Sequence, residues 1–306
     1  MQLFNVLIAA SVLQFSHGAS TSNIAANLPT PPAPRPTSYQ WDKDWVKDIP
    51  IHESCNNTEY IQLKQALEEV KLVSAHARDH ALVHGNSSTI FQKYFTSAPV
   101  EDVVGVYEKL LNANKKQMLF RCDNPDGNCD IEGYAGHWRG ENASDETVIC
   151  ELSFESRKPL TKLCGDGYTV SGSKDSIYWA GDLLHRIFHV ESFSQGLIDH
   201  FADDYSECLE LAKSDPAKAA KNSLSLRLFA LDAYAFDIVE PGKGCTGDDE
   251  KKKESKTSKS SASSSKPSEP TSSAASSTVE TSKTPTKTTQ TGKNCHTHEG
   301  GELHCI

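Results

Sequence analysis

The chain has 306 residues and sets 31 Lys and Arg against 41 Asp and Glu, for a formal net charge of −10. An acidic surplus of this size argues against a nucleic-acid binder and suits a chain that handles cations, although surface carboxylates also simply keep a secreted protein in solution. Nine cysteines fit an oxidising compartment, and an odd number leaves at least one thiol free or paired between chains.

Residues 1–18 read as a secretory signal peptide: an apolar run from Leu3 to Phe15, then Ser16, His17 and Gly18 before Ala19. The run is shorter than the ~20 apolar residues that span a bilayer. No second stretch approaches that length, and the C-terminal end lacks the apolar tail of a lipid-anchored chain. The expectation is a secreted protein without membrane insertion. Sequons at Asn56, Asn86 and Asn142 agree with export as N-glycosylation acceptors. Residues 19–37 (with LPTPPAPRPT) are too rich in proline for helix or sheet and read as an extended leader.

Residues 38–247 carry aromatic and aliphatic residues at regular intervals, enough to bury one core. A first helix is expected from Thr58 to His84, with Ile61, Leu63, Leu67, Val70, Leu72, Val73 and Leu82 at helical spacing and Gly85 ending it. A second runs from Val100 to Ala113. From Phe120 to Ser171, turn signals and β-branched residues predict a small disulfide-bearing sheet. Helices return over Ser176–Phe193, Leu197–Lys213 and Pro216–Phe236, so the fold class is α+β and mostly helical. Cys55, Cys122, Cys129, Cys150, Cys164 and Cys245 are assigned to three core bridges, with Cys122 and Cys129 as one local pair around DNPDGN. Cys208, within the amphipathic pattern DDYSECLELA, is assigned as a buried free thiol. Residues 248–293 are almost all Lys, Ser, Thr, Pro, Glu and Ala and read as a disordered linker that cannot offset the entropy of ordering. Its part from 251 to 293 holds nine Lys and three Glu, leaving −16 for the rest of the chain.

The chemistry concentrates in histidines. His185 and His189, in HRIFH, lie four apart and so on one helical face, where both imidazoles can reach one zinc ion. A zinc protease with HExxH uses the glutamate as general base; Arg186 stands in its place, and a guanidinium cannot take a proton from water. The motif therefore reads as zinc binding without hydrolysis. Gly196 lets the chain turn back, and Asp199 and His200 follow ten and eleven residues beyond His189 as candidates for the third ligand. His200 would complete a three-histidine site; Asp199 would give two histidines and a carboxylate. His76, His80 and His84 share a stripe on the first helix, as a second zinc site, part of the wall of the first, or a solvated polar face. His137 on a predicted strand is either a ligand or a hydrogen-bonded structural residue.

The end of the chain, residues 294–306, contains CHTHEGGELHC. Pairing Cys295 with Cys305 would set His296 opposite His304 and His298 opposite Glu302, with Glu299–Gly301 as the turn. That arrangement gathers His296, His298, His304 and Glu302 on one face as a zinc-binding set. Thiolate ligation by both cysteines, or a loose His-rich end, are the alternatives.

Five blocks carry a family resemblance: DWVKDIPI at 44–51, HARDH at 76–80, YAGHWRGENASDETVICELSF at 134–154, WAGDLLHRIFH at 179–189 and CHTHEGGELHC at 295–305. The chain resembles the fungal pH-regulated antigen family of secreted zincophores, which includes a major mould allergen. The resemblance implies a deuterolysin-like zincin domain in which His185 and His189 take the metal-binding positions. Similarity to deuterolysin-type proteases also points to Asp199 as third ligand. It further implies capture of extracellular zinc, delivery to a cell-surface zinc transporter, partial association with the cell surface, and binding of host complement regulators and a leukocyte integrin.

Overall fold

The computed structural model describes residues 40–247, apart from 175, together with the strand residues 295–297 and 303–305. The expected signal segment, leader and linker lie outside the described residues. Residues from Asp44 onward group into one unit, opened by helix α1 (Asn57–His84). Its start is fixed by Asn56, whose side-chain oxygen accepts the backbone N–H of Thr58 and Glu59 at 2.9 and 3.1 Å. The Glu59 carboxylate in turn accepts the Asn56 N–H at 2.7 Å, so two otherwise orphaned donors are satisfied reciprocally. Its end is Gly85, at φ 45°, where a side chain would strain the backbone and crowd a Val100 methyl at 3.2 Å.

Further helices are α2 (Thr89–Phe95), α3 (Val100–Asn112), α4 (Glu151–Ser156), α5 (Trp179–His189), α6 (Glu191–Ser194), α7 (Tyr205–Ser214), α8 (Pro216–Ala219) and α9 (Ser223–Tyr234). A π-helical segment, Ala235–Val239, continues α9. α1 packs against α3, α5 and α9, placing Leu63, Val70, Val73 and Ala77 in the core. α5 is buried from Trp179 to Phe188 and α9 from Ser223 to Ala233, polar residues such as Asp182, Arg186, Arg227 and Asp232 included. Phe229 on α9 is the hub: Phe91, Tyr94 and Phe95 of α2 meet it edge-on with centroids 5.1–6.4 Å apart, a favoured aromatic geometry.

Strands β1 (Leu119–Arg121), β2 (Gly136–Trp138) and β3 (Glu146–Ile149) form one small sheet in the order β1-β3-β2. β1 runs parallel to β3 with Phe120 opposite Thr147, and β2 antiparallel with His137 opposite Val148. Gly136 is required where β2 meets α5. A Cβ there would stand 2.4 Å from the Val148 carbonyl oxygen and 2.9 Å from the Arg186 guanidinium.

The mostly helical α+β class is as expected, with four differences. The helix expected over Ser176–Phe193 breaks at Val190, whose backbone is extended, into α5 and α6. Residues 197–204 are not helical, because Gln195 and Gly196 both take positive φ and Asp204 caps α7 only afterwards, accepting the Glu207 N–H. Pro216–Phe236 is interrupted at Asn222, and α2 and α4 occupy stretches not read as helix. The Cys122–Cys129 pair is also corrected. The bridges are Cys55–Cys122, Cys129–Cys150 and Cys164–Cys245, with Cys208 free and buried. Backbone pairing decides the first: Ile51 bridges to Phe120, bringing the approach to α1 alongside β1 and Cys55 next to Cys122.

Near the end of the chain, β4 (Cys295–Thr297) and β5 (Leu303–Cys305) pair antiparallel. Cys295 stands opposite Cys305 and His296 opposite His304. His298 and Glu302 lie outside the described residues.

Candidate metal centre

Three imidazoles converge at one end of α5. The Nε2 atoms of His185 and His189 are 3.2 Å apart, and those of His189 and His200 are 3.1 Å apart. Ring centroids of the three lie 4.7–5.1 Å from one another. Tetrahedral zinc with bonds of ~2.0–2.1 Å holds its ligand nitrogens about 3.3 Å apart. The observed separations are thus close to the edges of such a tetrahedron, and the three residues fit the ion.

Two elements hold the three imidazoles. The first two project from the same face of α5, whose burial fixes the helix; His189 also stacks on Trp138 of β2 with its ring 26° from parallel. Trp138 is itself tied by its indole N–H to the Ser144 carbonyl at 2.6 Å. His200 comes from the loop before α7. There the Asp199 backbone bridges to both sides of Asn222, and the buried Asn222 side chain accepts the N–H of Phe201 and Ala202 at 2.9 and 3.0 Å. On the far side of its ring, His200 Nδ1 meets Asp203 Oδ1 at 2.5 Å. A carboxylate there accepts the Nδ1–H, which keeps the proton on that nitrogen and leaves the Nε2 lone pair directed at the other two rings.

Asp199 is not brought into this group. Its carboxylate accepts the His200 backbone N–H at 2.8 Å, so it caps its own turn, and Asp203 is the carboxylate that orients the histidine. Among the described residues, the ligand atoms of His185, His189 and His200 all lie within 4.8 Å of one another, and neither Asp199 nor Glu191 belongs to that group.

Arg186 faces away from the three nitrogens. It donates to Asp182 one turn earlier at 2.9 and 3.2 Å, and Arg157 reaches the same carboxylate at 3.2 Å. Burial alone would raise the Asp182 carboxyl; the surrounding Arg157, Arg186 and Arg227 guanidiniums outweigh it and hold the group below the usual range. The residue at the protease's general-base position is therefore a structural partner of Asp182, seated against Gly136 of β2.

The helix-stripe histidines are engaged elsewhere. His76 Nε2 and His80 Nδ1 share one oxygen of Asp237, at 2.8 and 2.6 Å, and His80 Nε2 meets Ser88 Oγ at 2.7 Å. Burial acts to raise the Asp237 carboxyl, and the two histidines more than reverse it. Sequence reasoning missed Asp237. It sits in the π-helical segment, a turn type frequent at functional sites, and no local pattern connects it to a helix 157 residues earlier. His84 stacks near His80 but does not join the shared carboxylate. His137, on β2, pairs with Asp126 and lies beside the Cys129–Cys150 bridge. The sequon residues Asn56, Asn86 and Asn142 are all exposed.

Comparison with known proteins agrees with these motifs. The chain is 50% identical over 293 residues to "Major allergen Asp f 2" of Aspergillus fumigatus, covering 92% of this chain and 94% of the relative. It is 50% identical over 221 residues to "pH-regulated antigen PRA1" of Candida albicans, covering 72% and 74%. "Protein ZPS1" of Saccharomyces cerevisiae is 33% identical over 202 residues, covering 64% and 79%. A zinc peptidase from Grifola frondosa superposes with a TM-score of 0.41 at 17% identity, over 59% of this chain and 99% of its own, a likeness too slight to argue from. The family model described as "HRXXH: Putative peptidase family" matches residues 3–248, and the chain belongs to that family.

Proposed function

We propose that this protein is a secreted zinc-binding carrier that captures extracellular zinc and carries out no hydrolysis. The observation that supports this most is the convergence of three imidazole nitrogens at near-tetrahedral spacing with no carboxylate in the group and with the HRIFH arginine turned to Asp182. Such a site offers zinc three protein ligands and an open fourth position, and among the described residues no carboxylate joins the three-histidine group to activate water there. Zinc is then cargo. Delivery to a cell-surface zinc transporter, association with the cell surface, and contact with host complement regulators and a leukocyte integrin complete the proposal, on the family resemblance of the motif blocks. The tail histidines His296, His298 and His304 with Glu302 are proposed as a second loading site, and His76 with His80 as a clamp that fixes Asp237. Export is proposed from the N-terminal segment; among the described residues no helix is long and apolar enough to cross a membrane.

Calorimetric titration of zinc into the full chain at pH 7.5 and pH 5 tests the reading. Imidazole must be unprotonated to ligate, and its ordinary titration lies near ~6.5. Binding at pH 7.5 should therefore weaken markedly at pH 5, and the double substitution H185A/H189A should remove one equivalent. Unchanged stoichiometry in that variant would end the proposal. The family description favours a peptidase as the second reading; peptide hydrolysis by the wild-type chain that a chelator abolishes would establish it instead.

A further inference from the structure

We propose that Cys129, Cys150 and His137 form a redox-gated metal site, closed while the disulfide is intact and opened to a soft divalent ion such as Zn²⁺ or Co²⁺ on reduction. It is separate from the three-histidine group and does not depend on that reading.

The Cys129 and Cys150 sulfurs and a His137 ring nitrogen lie within 4.8 Å of one another. His137 is 1% exposed, and its Nδ1 is buried without a hydrogen-bond partner. On the opposite side of the ring, Nε2 meets Asp126 Oδ2 at 3.1 Å. Arg139 holds that aspartate ionised, with two contacts at 2.8 and 3.1 Å. An ionised carboxylate only accepts, so the ring proton sits on Nε2 and the Nδ1 lone pair is left bare. A carboxylate, a histidine oriented by it, and a lone pair aimed past it is how proteins arrange a metal-bound imidazole. One nitrogen of the His137 ring lies within 4.8 Å of both sulfurs, and we take it to be the unpartnered Nδ1. Burial also lowers the affinity of His137 for a second proton, which keeps the ring in its ligating form.

An entry path exists. An open cavity of about 560 Å³ is lined by Cys129 and Cys150 with Asp130, Glu132, Glu151 and Glu155. This acidic mouth draws cations, and a small thiol would meet the bridge from the half-buried Cys129, since Cys150 is buried.

The gating step balances as follows. Two molecules of a low-molecular-weight thiol reduce the bridge: the S–S bond breaks, each protein sulfur gains a hydrogen, and the two reductant thiols are oxidised to one disulfide. Binding of M²⁺ then releases both thiol protons and forms two thiolate–metal bonds and one imidazole–metal bond. Water fills the fourth position, since two sulfurs, one nitrogen and an open site suit zinc or cobalt.

The test uses the full chain, reduced anaerobically with a phosphine and titrated with Co²⁺, followed by alkylation and mass mapping of each cysteine. The expected result is a thiolate-to-cobalt charge-transfer band absent from the oxidised chain and weakened in C129S/C150S, where the tail thiols Cys295 and Cys305 can still contribute. Alkylation of Cys129 and Cys150 should slow at least tenfold with metal, while Cys55, Cys122, Cys164 and Cys245 react equally with and without it. The H137Q variant, which keeps both thiols, should lose at least tenfold in cobalt affinity. Equal alkylation of Cys129 and Cys150 with and without metal overturns the proposal. So does an H137Q chain that binds like wild type, or a reduced chain whose helical signal collapses and is not restored by metal.

Discussion

Restoring the protease glutamate, R186E, should weaken the fold and create no peptidase. Arg186 and Asp182 are 2% and 3% exposed, and their contact is seated in the core beside Gly136. Removing one member of a buried ion pair costs about 3–5 kcal/mol, because the remaining charge loses its partner in a medium that solvates it poorly. The substitution goes further by placing a second carboxylate one turn from the first, with Arg157 and Arg227 left to serve both. For a folded part of this size about 1 kcal/mol corresponds to ~2–4 °C in Tm, so the expected loss is about 6–20 °C. Calorimetric unfolding of the metal-free protein at pH 7.5 measures it. R186M, which adds no like charge, should fall between wild type and R186E. Below about pH 5 the gap should narrow as the added glutamate, raised by burial and by Asp182, takes up a proton. An R186E chain that unfolds within 2 °C of wild type, taking ~2 °C as the effect of less than 1 kcal/mol, would refute the structural role given to this arginine.

Asp126 is held at about 2, chiefly by the Arg139 hydrogen bonds and then by His137, against a burial effect of opposite sign. A carboxyl lowered in the fold contributes stability above its unfolded value near ~3.9 and loses it as pH falls towards about 2; D126N should therefore flatten acid unfolding in that window and cost about 2 kcal/mol at pH 7. Lys115 is lowered to about 8, first by burial and then by Lys71 and Lys47. The unfolded chain holds that proton up to ~10.4, so the lysine opposes folding below about pH 8 and the penalty is relieved between there and ~10.4. K115M should accordingly raise Tm at pH 7, with the advantage shrinking at pH 10. Deleting residues 294–306 should reduce the zinc bound by the full chain without moving Tm of the metal-free protein, as dialysis followed by elemental analysis and calorimetry would report.

What was readable in the sequence is what short-range chemistry determines. The Asn56 and Glu59 box and Gly85 mark the ends of α1 because capping is satisfied within four residues. The spacing of His185, His189 and His200 showed a possible cluster, since a helix face and a return turn need only local geometry. Partners fixed by tertiary packing were hidden. Cys55 meets Cys122 only because Ile51 bridges to Phe120, and Asp237 meets His80 only because α9 packs on α1. Arg186 was readable as a lost base, and its i,i+4 spacing from Asp182 is local; what the sequence hid is that Arg157 joins the same carboxylate and that the pair is buried against Gly136. α2 was missed because its seven residues lie between turn-forming Gly85–Ser88 and Pro99, too short a stretch to display a period.

The two kinds of support under the histidines also set how such a site lets go. His185 and His189 are carried by a helix with almost no exposed residue, whereas His200 hangs from a surface loop pinned by the amide of Asn222. On the proposed carrier reading, an incoming donor from a receiving protein would need to displace only the loop-borne imidazole, after which two nitrogens hold the ion far less tenaciously than three. On that reading Asn222 would then tune the rate of hand-over through the loop that bears His200. N222A, by freeing the loop, should quicken zinc exchange while leaving both helix-borne ligands in place, so that capture and unloading are adjusted by separate parts of the same chain.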